Sequence, residues 1–566
     1  MTTPPRGDID AHNASDRPRS AKPVRGATLA GALAAVALSV AALPGCVGHA
    51  VQTVANPAGP GLRAALGDAD ADRELAEAYR ARNWRPIWWD GARPRPAAAA
   101  LLRVLADAGA DGLDPERYGT DELAAVMKAA EAGGPAERAR ADVRLTRAYA
   151  DYVVDLHRPR ADAALFVADP AAAPAPPTRA AVLADLAKAP DLAGQLAASR
   201  RMNPVYEDLR RALQAHRALW SGLPQAGVPT GPTLTQGAEG PRVAALRRRL
   251  GLPGHGPYDP VLAEAVREFQ ASHGLPQTGE ADAQTIGALN RGFAHDEQLI
   301  LANLERARAL PADPGRRFLV VDVGAARLAL YENGHVADSM RVVVGKPAQP
   351  TPALAGMVRY AVFEPYWNVP EDLARTGVAA HVLSEGVGYL ERQRMELLSD
   401  WSDDAHVIAP SEVDWPAVAA GRRSLRVRQL PGPGNMMGQV KLMFPNPYGV
   451  YLHDTPAKEL FGKAQRNFSS GCVRLEDAPR LARRLLGPAA PAIASGGVPE
   501  QRVDLAEPVP VYILYLTAAP GSWGVEFRPD VYGRDPALVA ALARPSAPSV
   551  RTAAAPADPQ LIQTRR

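Results

Sequence analysis

Residues 318–345 read FLVVDVGAARLALYENGHVADSMRVVVG. Apolar and β-branched residues dominate the stretch, which falls into strand, turn, strand, turn, strand. Asn333-Gly334 is the second turn, because both central positions of a tight hairpin need positive φ, and Asn and Gly tolerate it best. Downstream, to about residue 517, short strands mix with two helical stretches, and a further strand reads VPVYILYLT over Val509–Thr517. Residues 317–517 are therefore expected to form an α+β domain dominated by antiparallel sheet. A C-terminal extension (518–545) and a disordered tail (546–566) follow.

Upstream the period changes. Residues 61–230 place Ala, Leu and Arg at three- and four-residue spacing, broken by Pro and Gly, and predict a helical scaffold with a Pro-rich loop at 169–178. Residues 231–293 predict three amphipathic helices. Val243, Leu246 and Leu250 mark the first, Val261, Val266 and Phe269 the second, and Ile286 and Leu289 the third. Residues 294–316 lead back to the scaffold.

The chain has 566 residues, 47% of them hydrophobic, and a net charge of +3 from interspersed acids and bases. That is ample for several packed cores, and it lacks the basic stripe of a nucleic-acid binder. The amino terminus is basic (Arg17, Arg19, Lys22, Arg25), then apolar and uncharged over 26–43, then Leu43-Pro44-Gly45-Cys46. This is an export segment, 1–46, followed by a linker, 47–60. A cleaved signal, an uncleaved anchor and a lipid-bearing Cys46 all deliver the rest of the chain outside the cytoplasm. The Leu-x-Gly-Cys tail resembles the bacterial lipoprotein box. Lipidation of Cys46 leaves Cys472 as the one thiol of the mature chain.

The chemistry concentrates in Tyr448–Leu475, YGVYLHDTPAKELFGKAQRNFSSGCVRL. A strand delivers His453, and Ser469-Ser470-Gly471-Cys472-Val473-Arg474 follows after a polar loop. A thiol attacks a carbonyl as its thiolate, so it needs a base within reach, and an imidazole serves. The base needs a third group to fix its tautomer, which Asp454 or a backbone carbonyl can supply. Gly471 permits a sharp turn, and the N–H groups of Gly471 and Cys472 can stabilise an oxyanion. Read alone, the same residues also fit a small buried Cys and a structural His. The two Ser and the Arg around Cys472 argue against an apolar setting.

HDTP followed by SSGCVR resembles the signature of L,D-transpeptidases with a YkuD-type catalytic domain. Further stretches resemble the large multidomain Gram-negative branch of that family: RVVVGKPAQPTP (341–352), FEPYWNVP (363–370), NMMGQVKLMFPN (435–446), FRPDVYGRD (527–535), WRPIWWD (84–90) and DGLDPERY (111–118). Residues 231–293 resemble a three-helix peptidoglycan-binding module through Ala265, Val266, Phe269, Gln270, Gly274, Leu275, Thr278, Gly279, Thr285, Leu289 and Asn290. The resemblance implies Cys472 as nucleophile and His453 as base, with Gly471, Ser470 and Asp454 in the catalytic group. Arg474, Ser469, Tyr451, Trp367 and Asn368 are expected to bind substrate. Position 470, often His in the family, is Ser here. The resemblance further implies a cap inserted at about 371–425. The implied reaction is acyl transfer from a tetrapeptide stem, with loss of D-alanine, to a diaminopimelate amine, giving a 3→3 peptidoglycan crosslink. Water or a wall protein is the alternative acceptor. No cofactor and no metal is expected. The partners are stem peptides and glycan, with no nucleic acid and membrane contact only through the amino terminus. The protein is expected to act as a periplasmic monomer. A zinc hydrolase is disfavoured by scattered His and no His-Glu-x-x-His, and a penicillin-binding-type serine enzyme by the lack of Ser-x-x-Lys. A wall-binding scaffold without activity is disfavoured by the His453–Cys472 pairing.

Overall fold

The computed structural model describes residues 58–67, 72–168, 175–489, 498–521 and 524–543. The export segment with Cys46, part of the Pro-rich stretch and the 546–566 tail lie outside them. The described residues form an α+β protein, with helices in the amino-terminal half and a β-rich region over 317–527.

Nine strands build the main sheet: β1 (Arg317–Asp322), β2 (Arg327–Glu332), β3 (His335–Gly345), β4 (Leu354–Phe363), β5 (Val440–Met443), β6 (Leu452–His453), β7 (Asn467–Ser469), β8 (Val473–Leu475) and β9 (Gln501–Leu514). Their order is β7-β3-β8-β6-β5-β4-β9-β1-β2, and β2 pairs back onto β3, so all but β7 close into a ring. The β2–β3 hairpin has Asn333 at φ 52° and Gly334 at φ 82°, the conformation the Asn-Gly pair anticipates. Three pairs are parallel: β6–β8, β7–β3 and β9–β1.

Leu319, Val321, Leu330, Val342, Leu452, Val473 and Leu475 fill the ring interior with Leu481 and Leu485 from the helix Ala478–Leu486. Phe318, Val320 and Leu514 face outward, into a second core shared with the scaffold helices. Burial on both faces explains why β1 reads as a continuous apolar run instead of an alternation.

The scaffold packs around the helix Pro135–His157. Asp142, fully buried, accepts from the Ile87 and Trp88 N–H groups at 3.1 and 2.7 Å and from the Tyr79 hydroxyl at 2.5 Å. Thr146 takes the Trp88 indole N–H at 2.9 Å. The WRPIWWD stretch is thus tied to the helix through one carboxylate. Burial pushes that carboxyl up to about 6 against the pull of its donors. Asp142→Ala leaves those buried donors unsatisfied, at roughly 1–3 kcal/mol each when no water replaces the oxygen. The expected result is a fall of several degrees in the scaffold's melting temperature. An unchanged transition in differential scanning calorimetry would count against this account.

In the three-helix module, Pro260–Ser272 starts at Asp259, whose carboxylate accepts from Leu262 N–H at 2.8 Å. Gln270 explains the spacing of its motif. Its amide donates to Thr278 and Thr285 hydroxyls at 3.1 and 3.0 Å and accepts from Gly279 N–H at 2.9 Å. Val261, expected on the apolar face, is exposed in the helix's first turn, and Leu262 takes the core position. The last helix, Ala283–Arg308, breaks at Gly292 (φ 82°). Beyond the break Ile300, Leu304 and Ala307 enter the scaffold core.

The insertion forms a separate small core with a four-stranded sheet of Trp367–Val369, Met395–Leu398, Val407–Ile408 and Arg426–Gln429. Leu390, Leu397 and Trp415 fill this core, whereas Trp401 is exposed beneath the Arg426 guanidinium. Because the first and last of its strands along the chain are 367–369 and 426–429, the unit is slightly wider than the expected 371–425.

Candidate active site

β6 and β8 run side by side, with Leu452 opposite Val473 and His453 opposite Arg474. Cys472 immediately precedes β8 and therefore lies across from Tyr451, whose carbonyl accepts from Val473 N–H at 3.2 Å. The turn before Cys472 is closed by Ser469. Its hydroxyl donates to the Cys472 carbonyl at 2.6 Å and accepts from Gly471 N–H at 3.2 Å. Gly471 has φ 115°, which L side chains rarely adopt, so glycine is required there. Ser470 points its backbone through the exposed crest of the turn.

His453 is buried, and its Nδ1 lies 2.6 Å from the Asp454 carbonyl oxygen. A carbonyl only accepts, so Nδ1 carries the proton and Nε2 is left as the base. The orienting group is therefore backbone. The Asp454 carboxylate turns elsewhere, to Lys458 Nζ at 2.5 Å and Gln439 N–H at 2.9 Å. Asp454 thus serves His453 through its main chain, and its side chain lines a separate cleft of about 480 Å³.

Burial, with the charges of Arg474 and Lys441, lowers the His453 pKa to about 3. Burial also pushes the Cys472 thiol up, opposed by Tyr451 and by Arg474. The resting pair is accordingly a neutral thiol and a neutral imidazole. The thiol leans on the Gly449 carbonyl at 3.8 Å, and no imidazole–thiol hydrogen bond is present among the described residues. Such bonds are often loose before substrate arrives. The Tyr451 ring lies edge-on to His453 at 5.7 Å between centroids.

Arg474 is half-buried beside the thiol and has no carboxylate partner among the described residues. Trp367 and Asn368 sit in the first strand of the cap sheet, paired with Gln429 and Arg428. Trp367 packs on the cap core, and Asn368 is exposed.

Sequence reasoning passed over three contributors. Thr351 is fully buried and donates to the Gly471 carbonyl at 2.8 Å. Tyr532 donates to the Gly345 carbonyl at 2.6 Å. Ala168 of the scaffold accepts from the Tyr448 hydroxyl at 2.5 Å and donates to the Ala353 carbonyl at 2.7 Å. Thr351 and Tyr532 act through side-chain hydroxyls on backbone carbonyls and Ala168 through its own backbone, so the sequence does not show which partners they meet. Two clefts, of about 590 and 580 Å³, are lined by neither Cys472 nor His453. Among the described residues no group of three or more His, Cys, Asp or Glu could hold a metal ion, and no helix is long and apolar enough to cross a membrane.

Residues 316–513 match a family model described as L,D-transpeptidase catalytic domain. Residues 240–289 match "Putative peptidoglycan binding domain", and residues 73–213 match a scaffold domain. A "Putative L,D-transpeptidase" of Haemophilus influenzae is 28% identical over 243 residues, 42% of this chain and 48% of that protein. The match thus spans about half the length of this curated relative. Two solved structures are also similar. The L,D-transpeptidase from Mycobacterium smegmatis is 16% identical, covering 35% of this chain and 58% of that one, with a TM-score of 0.17. That from Xylanimonas cellulosilytica is 16% identical, covering 50% and 99%, with a TM-score of 0.16.

Proposed function

We propose that the protein, whose residues 316–513 match the L,D-transpeptidase catalytic-domain model, crosslinks peptidoglycan by acyl transfer through Cys472. The observation that carries the reading is the thiol on its glycine turn, one strand from an imidazole whose Nδ1 proton is committed to a carbonyl. Nε2 takes the thiol proton as sulfur attacks the diaminopimelate carbonyl of a tetrapeptide stem. The imidazolium returns the proton to the leaving D-alanine amine. The diaminopimelate amine of a second stem then attacks the thioester, yielding a 3→3 crosslink and the free thiol. Two acyl transfers through one intermediate give ping-pong kinetics. Arg474, lacking an acidic partner, suits a substrate carboxylate. The 231–293 module holds the enzyme on glycan, and the amino-terminal segment places it in the periplasm, tethered through an anchor or a lipid on Cys46.

The test is mass spectrometry of purified sacculi incubated with the enzyme. The expected products are 3→3-linked dimers together with free D-alanine. D-alanine without dimers would reassign the acceptor to water, and unchanged sacculi would overturn the reading.

A further inference from the structure

We infer that Thr351 is a positioning residue for the oxyanion-binding N–H of Cys472, and that Tyr532, from outside the matched catalytic segment, holds Thr351 in place. The inference rests on the acyl-transfer reading above. A peptide unit is planar and trans, so its C=O and the following N–H point in opposite directions. The Gly471 carbonyl is fixed by the Thr351 hydroxyl at 2.8 Å. Fixing that oxygen fixes the Cys472 N–H, which must point away from the buried Thr351 side. That N–H has no acceptor among the described residues. A backbone donor adjoining the nucleophile, free and aimed by its own peptide plane, is what a developing oxyanion needs.

The Thr351 hydroxyl is itself locked. It accepts from Gly345 N–H at 2.8 Å while donating to Gly471, and the residue is fully buried. A Cβ on Gly345 would lie 2.3 Å from the Gln349 carbonyl oxygen, so the loop closes tightly on that glycine. Tyr532 donates to the Gly345 carbonyl at 2.6 Å, and its own N–H is held by the Tyr515 hydroxyl at 3.1 Å. Tyr515 donates in turn to Asp530 at 2.8 Å. The order of support is Asp530, Tyr515, Tyr532, Gly345, Thr351, Gly471, Cys472. Gly471 is free to rotate at φ 115°, which is why its carbonyl needs a tether.

Two reagents separate this role from a general structural one. A carbapenem acylates a thiolate through a tetrahedral oxyanion, whereas iodoacetamide alkylates it by displacement with no oxyanion. Rates of both at Cys472 are measured by intact mass on the full chain. T351V should slow acylation roughly tenfold to a hundredfold, below the ~10²–10³ seen when an oxyanion donor is deleted outright. Its alkylation rate and alkylation pH profile should stay within about twofold of wild type. T351S keeps the hydroxyl and should restore acylation, and Y532F should lower the acylation-to-alkylation ratio in the same direction by less. Equal loss in both reactions, or unimpaired acylation of T351V, overturns the assignment. If near-UV circular dichroism shows T351V unfolded, the Y532F ratio decides, a fall supporting the role and no change overturning it. Wild-type protein that is alkylated but never acylated would instead sink the acyl-transfer reading, and this role with it.

Discussion

Cys472→Ala should carry no carbapenem adduct and produce no 3→3 dimers, a loss of more than about a thousandfold against the wild-type chain. The size of the effect follows from the chemistry: without the sulfur there is no acyl-enzyme, and the residual environment can only orient the stem. The fold should survive. Cys472 is partly exposed and sits on a turn held by Ser469 and Thr351, whose bonds go to backbone oxygens that alanine keeps. Removing one sulfur from such a site costs within about 1 kcal/mol. Intact-mass spectrometry with peptide mapping measures the adduct, and thermal unfolding checks the fold. An adduct on another residue, or wild-type crosslinking by the alanine variant, would falsify the nucleophile assignment.

The barrel hairpin was legible because Asn333-Gly334 fixes a turn type by local sterics, and the module because Gln270, Thr278 and Thr285 form one spaced hydrogen-bond set. That the strands of His453 and Cys472 adjoin was foreshadowed by the order of the two residues, which matches a signature. What was not legible has a common physical cause. The group that holds His453 Nδ1 is the Asp454 carbonyl, one of the two alternatives the sequence leaves open, and the Asp454 carboxylate is engaged by Lys458. Any residue at 454 would supply that carbonyl. Thr351 and Tyr532 likewise act on main-chain atoms 120 and 187 positions away in sequence. Val261 failed differently, since helical spacing alone does not say whether Val261 or Leu262 leads the buried stripe. Trp367 and Asn368 lie within the FEPYWNVP stretch, and their strand belongs to the cap sheet.

The scaffold's contact with the groove bears on how these parts work together. Ala168 bonds both Tyr448 and Ala353. Tyr448 precedes Gly449, against whose carbonyl the thiol rests, and Ala353 follows the Thr351 that tethers Gly471. One scaffold residue therefore braces both walls of the nucleophile turn. Phe166, two residues earlier, packs with Leu538 of the C-terminal extension. The catalytic segment is thus held from both sides of the chain, which gives the multidomain arrangement a mechanical reason.

His453→Ala should lower acylation of Cys472 by roughly 10²–10⁴-fold at neutral pH, the usual worth of a positioned base. The pH dependence distinguishes this from simple misfolding. In the wild type, burial and the charges of Arg474 and Lys441 hold the His453 pKa to about 3, so Nε2 is already free at any pH above that. Acylation should therefore show no inflection at the ordinary imidazole pKa near ~6.5. In His453→Ala, the rate should climb as the thiol ionises unaided. Burial holds that thiol above its ordinary range, so the recovery should begin later than for a free cysteine. Stability carries the matching signature. The folded pKa of His453 lies below its unfolded value, so the unfolded chain binds the extra proton between about 6.5 and about 3. The resulting stabilisation is present above that window and is lost as pH falls through it. His453→Ala should remove this part of the acid sensitivity. His453→Gln, which retains a side-chain donor for the Asp454 carbonyl, controls for collapse of the β6–β8 edge. An inflection near 6.5 in wild-type acylation would overturn the lowered pKa of His453, and full activity of His453→Gln at neutral pH would show that another group takes the thiol's proton.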